Sequence, residues 1–100
     1  MRKSYYDEEY IMTVTNGGLD IIRHYIPEID ECLKGKRKFS IGGFAPSSTI
    51  KKMPWGTYQI SVFDNGIYWM TPINLVQYRE KETAGNALDI IIERHNIKFR

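Results

Sequence analysis

Apolar residues recur at three- and four-residue intervals near both ends of the chain and at two-residue intervals between them. The first helical stretch follows Asn16-Gly17-Gly18, where Leu19, Ile22, Ile26 and Ile29 mark one face and Ile21, Tyr25 and Leu33 join it. Pro27 has no amide proton to donate, so the pattern predicts a break there. A second turn is expected to restart at Pro27 and stop before Gly35. From Lys38 the period falls to two: Phe39 and Ile41 run into Gly42-Gly43, and Ser48 to Met53 forms another short strand. Pro54-Trp55-Gly56 reads as a turn, after which Tyr58, Ile60 and Val62 alternate with Gln59, Ser61 and Phe63. Asn65-Gly66 tolerates positive φ at both positions and predicts a hairpin returning through Ile67 to Met70. Thr71 is expected to cap a helix with Pro72 at its first position, running towards Glu82. Asn86, after Ala84-Gly85, is expected to cap a last helix with apolar Ala87, Leu88, Ile90, Ile91 and Ile92.

Residues 1–17 mix charge with Tyr5, Tyr6, Tyr10 and Ile11, and read as an N-terminal arm, either frayed or a short helix. Residues 18–100 read as one domain. The predicted fold class is α+β: a small antiparallel meander of about four strands, packed by N-terminal and C-terminal helices.

An apolar share of 42% with 13% aromatics in 100 residues describes one small folded domain. No apolar run follows Met1-Arg2-Lys3, and Ser4, Asp7, Glu8 and Glu9 interrupt the segment. Neither a signal peptide nor a membrane span is therefore expected, and a cytoplasmic protein is the simplest expectation. The only cysteine, Cys32, leaves no internal disulfide and no multi-thiolate zinc site.

Charge changes the picture more. A formal net charge of +2 hides a polarised chain, because six cations and no acid lie between Glu31 and Asp64. These cations (Lys34, Lys36, Arg37, Lys38, Lys51 and Lys52) are interleaved with Phe39, Phe44, Trp55, Tyr58 and Phe63. Cations that follow phosphates and rings that stack on bases suit single-stranded DNA or RNA. The competing reading is a solvated charged face beside an ordinary β core. If the strands after Lys38 and before Met53 pair, the cations collect at one end of the sheet. Trp55, in the turn beyond Lys51-Lys52, either stacks on a base or packs against a helix. The candidate nucleic-acid-binding set is Lys34, Lys36, Arg37, Lys38, Lys51, Lys52, Trp55 and Tyr58.

Other chemistry finds little support. His24, Cys32 and His95 form no Cys-x2-Cys or His-x3-His pair, so no metal and no cofactor is expected. His24 reads as a structural histidine. His95, near a helix C-terminus, suits an imidazolium facing the dipole or a phosphate. Asp30 and Glu31 disfavour a Cys32 thiolate while Lys34 favours one, and no serine sits in a nucleophile elbow. No catalytic residue is predicted. Gly17-Gly18 precedes a helix and is either an anion cradle or a plain entry turn.

Several segments together resemble the N-terminal zinc-binding domain of bacterial and phage DNA primases. The run from Leu19 to Pro27 resembles that domain's opening helix. Lys38-Phe39-Ser40-Ile41 and the stretch from Ala45 to Lys52 are similar to two strands around a Thr-Pro-Ser turn. Tyr58 to Gly66 looks like the strand carrying the second ligand pair, and Asn86 to Ile91 with His95 to Phe99 resembles the closing segment. The likeness covers about residues 18–100, with an apparent insertion near 67–83.

In the family a Cys-x2-His pair and a Cys-x2-Cys pair hold zinc. The corresponding positions here are Lys38 and Ile41, then Ile60 and Phe63. The resemblance thus implies a degenerate, metal-free, zinc-ribbon-like domain stapled by apolar side chains. It also implies template binding rather than catalysis, with a primase polymerase domain or replicative helicase as partner. The alternative is a protein-interaction module of a phage or mobile-element factor acting on a host replication or defence protein. Tyr68, Trp69 and Met70 would form its contact surface.

Overall fold

The computed structural model describes residues 5–35, 37–39, 48–63 and 67–98. In chain order they form α1 (Tyr5–Val14), α2 (Leu19–Tyr25), α3 (Ile29–Gly35), β1 (Ile50–Lys52), β2 (Tyr58–Phe63), β3 (Ile67–Met70), α4 (Pro72–Glu80) and α5 (Ala84–Arg94). The α+β class holds. The sheet among the described residues has three strands, in the order β1-β2-β3 and antiparallel throughout, rather than about four. Of the strand expected from Lys38 onwards, an isolated antiparallel bridge between Phe39 and Ser48 is described. Ile41, Gly42-Gly43, Phe44 and the Asn65-Gly66 turn lie outside the described residues; the Phe63–Ile67 pairing is antiparallel but leaves three residues between the strands, one more than the two-residue turn expected there.

Local signals account for most boundaries. α2 ends at Tyr25 because Pro27 offers no amide to continue it, and the chain resumes helix at Ile29, whose amide bonds the Ile26 carbonyl at 3.0 Å. Thr71 and Asn74 form a reciprocal capping box at the start of α4, with Pro72 in the first turn. The cap of α5 is Thr83 rather than Asn86. The Thr83 hydroxyl accepts the Asn86 amide at 3.2 Å, which draws Ala84 and Gly85 into the first turn. The first segment takes the helical form, and α1 buries Ile11 completely.

Two apolar clusters meet at α2 and α4. Leu19 and Ile22 of α2, Ile26 just after it and Leu75 of α4 pack towards α3 and the sheet, against Ile60, Val62 and Met70. Ile21 of α2, with Ile73 and Val76 of α4, packs towards α1 and α5, against Ile11, Leu88 and Ile91. A polar tie crosses the same helices. The Tyr25 hydroxyl donates to Glu80 at 2.8 Å and accepts from Arg94 at 2.8 Å. The Arg79 and Arg94 guanidinium groups sit 5.0 and 5.3 Å from the Tyr25 ring centroid.

Candidate nucleic-acid interface

Strand register decides which cations face which rings. Lys51 pairs with Gln59 and Ser61 with Trp69, and Gln59 and Ser61 are two residues apart on β2. Lys51, Gln59, Ser61 and Trp69 therefore share the outer face of the sheet, while Ile60, Val62 and Met70 share the core face. On that outer face the Lys51 ammonium lies 5.7 Å from the Trp69 ring centroid. The Trp69 indole is 43% exposed. Ser61 is buried, and its hydroxyl accepts the Thr49 amide at 2.9 Å, which ties β2 to the residue before β1.

Lys52, on the opposite parity, extends over Tyr58, its direct cross-strand partner, with the ammonium 5.8 Å from the ring centroid. Lys51 and Lys52 thus diverge to opposite faces instead of forming one patch, because successive strand side chains alternate. They converge again at a cavity of about 290 Å³ between the end of α3 and β1, which Arg37, Lys51 and Lys52 line together with Thr49. Arg37 gives part of its charge to Glu31, at 3.2 Å, although both side chains stay exposed. Lys34 and Lys38 are exposed, on α3 and just before the Phe39 bridge; Lys36 lies outside the described residues.

Trp55 belongs elsewhere. It is 69% exposed, and it lines a groove of about 1020 Å³ whose far wall is α1, with Glu8, Glu9, Met12 and Thr13. None of the described cations of the basic stretch lines this groove. Of the rival contact set, Met70 is 4% exposed and packs in the core, since it alternates with the exposed Trp69. The Tyr68 side chain lies outside the described residues.

Sequence reading missed the pairing of Trp69 with Lys51. The turn signal could not supply it: a two-residue Asn65-Gly66 loop would set Trp69 opposite Val62, whereas the Phe63–Ile67 pairing leaves three residues between the strands and sets Trp69 opposite Ser61.

The remaining chemistry-bearing residues are structural. The Gly17 amide donates to the Met12 carbonyl at 2.7 Å, and the Gly17 carbonyl accepts from the Tyr58 amide at 2.9 Å, so both Gly17 backbone groups are committed to packing this turn. Cys32 is buried, and burial pushes its thiol pKa up, away from a nucleophilic thiolate. Among the described residues no three His, Cys, Asp or Glu side chains gather as a metal site would need. The described helices include none long and apolar enough to cross a membrane.

His95 caps α5, yet burial holds its imidazole below the ordinary range, and its buried Nε2 has no hydrogen-bond partner among the described residues. The helix dipole is outweighed by desolvation. Burial, and then Arg94, lower His24 in the same way. Because the unfolded chain takes up these protons first, stability is full above pH ~6.5 and declines as pH falls through it. Hydrogen bonds from Tyr25 and then Arg94 hold the Glu80 carboxyl low, and Arg23 holds Asp30 low. Their stability is present above about pH 4.5 and is lost below it. Thermal melts from pH 7 to 3 should therefore fall in two stages. The combined His24→Gln, His95→Gln variant should flatten the upper one; an unchanged upper stage would refute this origin.

Comparison with protein-family models, with curated proteins and with solved structures returns no match to this chain.

Proposed function

We propose that this chain binds single-stranded nucleic acid without catalysing a reaction, in the manner of a zinc-free primase-type N-terminal domain. The observation that carries the proposal is the exposed Trp69 indole beneath the Lys51 ammonium on the outer face of the sheet. A base stacking on that ring places its phosphates within reach of Lys51, and the α3–β1 cavity offers Lys52 and Arg37 to the next phosphate. Lys34, Lys36 and Lys38 extend the basic stretch. In this reading the chain holds template for a polymerase domain or helicase, and a fourth strand completes a zinc-ribbon-like sheet through the Phe39–Ser48 bridge.

Titration of labelled dT20 across a salt series tests the proposal. Three to five phosphate contacts should give a log–log salt slope of about −2 to −3.5 with micromolar-range affinity at moderate salt. Joint Lys51→Glu and Lys52→Glu replacement should flatten that slope by about 1.4, two contacts' worth. Trp69→Ala should weaken binding at every salt concentration by about 1–3 kcal/mol. No binding to single-stranded DNA or RNA at low salt would reject the proposal.

A further inference from the structure

The most exposed large apolar side chain among the described residues is Trp55, and it stands opposite two carboxylates. Neither Glu8 nor Glu9 has an ion-pair partner among the described residues. The groove between them is lined by Tyr10, Met12 and Thr13 on its α1 side and by Gly56 and Thr57 on the other. Its walls are held together: the Gly17 carbonyl accepts the Tyr58 amide, and a side chain at Gly17 would meet the Gly56 carbonyl at 2.3 Å. The site is therefore preformed, and a ligand need not order it.

Its charge sign selects the ligand. A polyanion entering this groove would approach Glu8 and Glu9 with no lining cation among the described residues to offset them. A lysine or arginine gains in both directions, from the carboxylates and from the negative face of the indole. We infer that this groove docks a basic segment of a partner protein, which lays one lysine or arginine side chain across the Trp55 ring between α1 and the Pro54–Thr57 turn. The chain then sorts two partners by charge: a polyanion at Lys51 and Trp69, and a polycation at Trp55 with Glu8 and Glu9. The inference stands independently of the nucleic-acid reading, because the two surfaces share no residue.

The two tryptophans make the test direct, since each contributes one indole N–H signal in a ¹H–¹⁵N spectrum. The probe is a fluorescein-labelled decapeptide alternating arginine and glycine, with a glutamate–glycine peptide as its counterpart. The basic peptide should shift the Trp55 signal and leave that of Trp69 in place, and the acidic peptide should shift neither. Trp55→Ala should weaken the peptide by about tenfold, and so should Glu8→Gln with Glu9→Gln. Lys51→Glu should leave peptide affinity unchanged or tighten it. Where Trp55→Ala lowers the melting temperature, the Glu8→Gln, Glu9→Gln variant alone decides. Absence of binding at low salt, equal affinity after both glutamates are neutralised, or a shift confined to Trp69 would each overturn the inference.

Discussion

Replacing Ile60 by alanine is expected to cost about 2–5 kcal/mol, the range for emptying a fully buried aliphatic site. Ile60 is 0% exposed and sits in the middle strand, paired with Ile50 on one side and Met70 on the other. Its side chain enters the cluster that joins the sheet to α2 and α4, so no single element can close over the cavity. Domains of this size carry only about 5–15 kcal/mol in total, and each kcal/mol is worth about 4–8 °C in melting temperature. A fall of about 10 °C or more is the expected readout.

Under the proposed primase-type reading, Ile60 stands where that family has a zinc ligand. If apolar packing replaces the metal, a chelator should leave the wild-type melting temperature unchanged while Ile60→Ala lowers it strongly. One tightly bound zinc per chain, or a melt that drops in chelator, would remove the basis for a metal-free domain.

Gly17→Ala should be comparably damaging for a different reason. The backbone there has φ +73°, and the new methyl would lie 2.3 Å from the Gly56 carbonyl oxygen. Left-handed backbone costs an L residue about 1–2 kcal/mol by itself. The clash is with backbone, which cannot swing aside as a side-chain tip does, and relieving it endangers the Tyr58–Gly17 hydrogen bond. A total loss of about 2–4 kcal/mol is expected. Two controls separate the causes. Gly56→Ala, at φ +101° with no atom within 4 Å, should pay the conformational cost alone, about 1–2 kcal/mol. Gly85→Ala, in the first turn of α5 with open space around it, should stabilise by about 0.4–1 kcal/mol. Equal losses at Gly17 and Gly56 in chemical denaturation would show that the close approach is not enforced.

Features that depend on neighbouring residues were legible in the sequence. Pro27 interrupts a helix wherever it stands, Thr71-Pro72 starts one, and the alternation from Tyr58 to Phe63 demands a strand with one apolar face. These follow from backbone sterics and from side-chain periods of 3.6 and 2, which need no knowledge of the rest of the chain. The cap of α5 differs from the expected one because two candidates three residues apart, Thr83 and Asn86, satisfy the same local rule. The Thr83 hydroxyl takes the Asn86 amide, which makes Asn86 the third residue of the helix and not its cap.

The partition of the basic and aromatic residues was not legible, because it is set by contacts between segments far apart in sequence. Lys51 and Trp69 meet only because three strands adopt one register, and Lys51 and Lys52 separate because the strand alternates. Trp55 is three residues from Lys52, yet its surroundings come from α1, brought to it by the Gly17–Gly56 approach. Sequence by itself determined the elements and the clustering of positive charge. Tertiary structure decided which ring answers to which charge, since an indole's role depends on the sign of whatever folds against it.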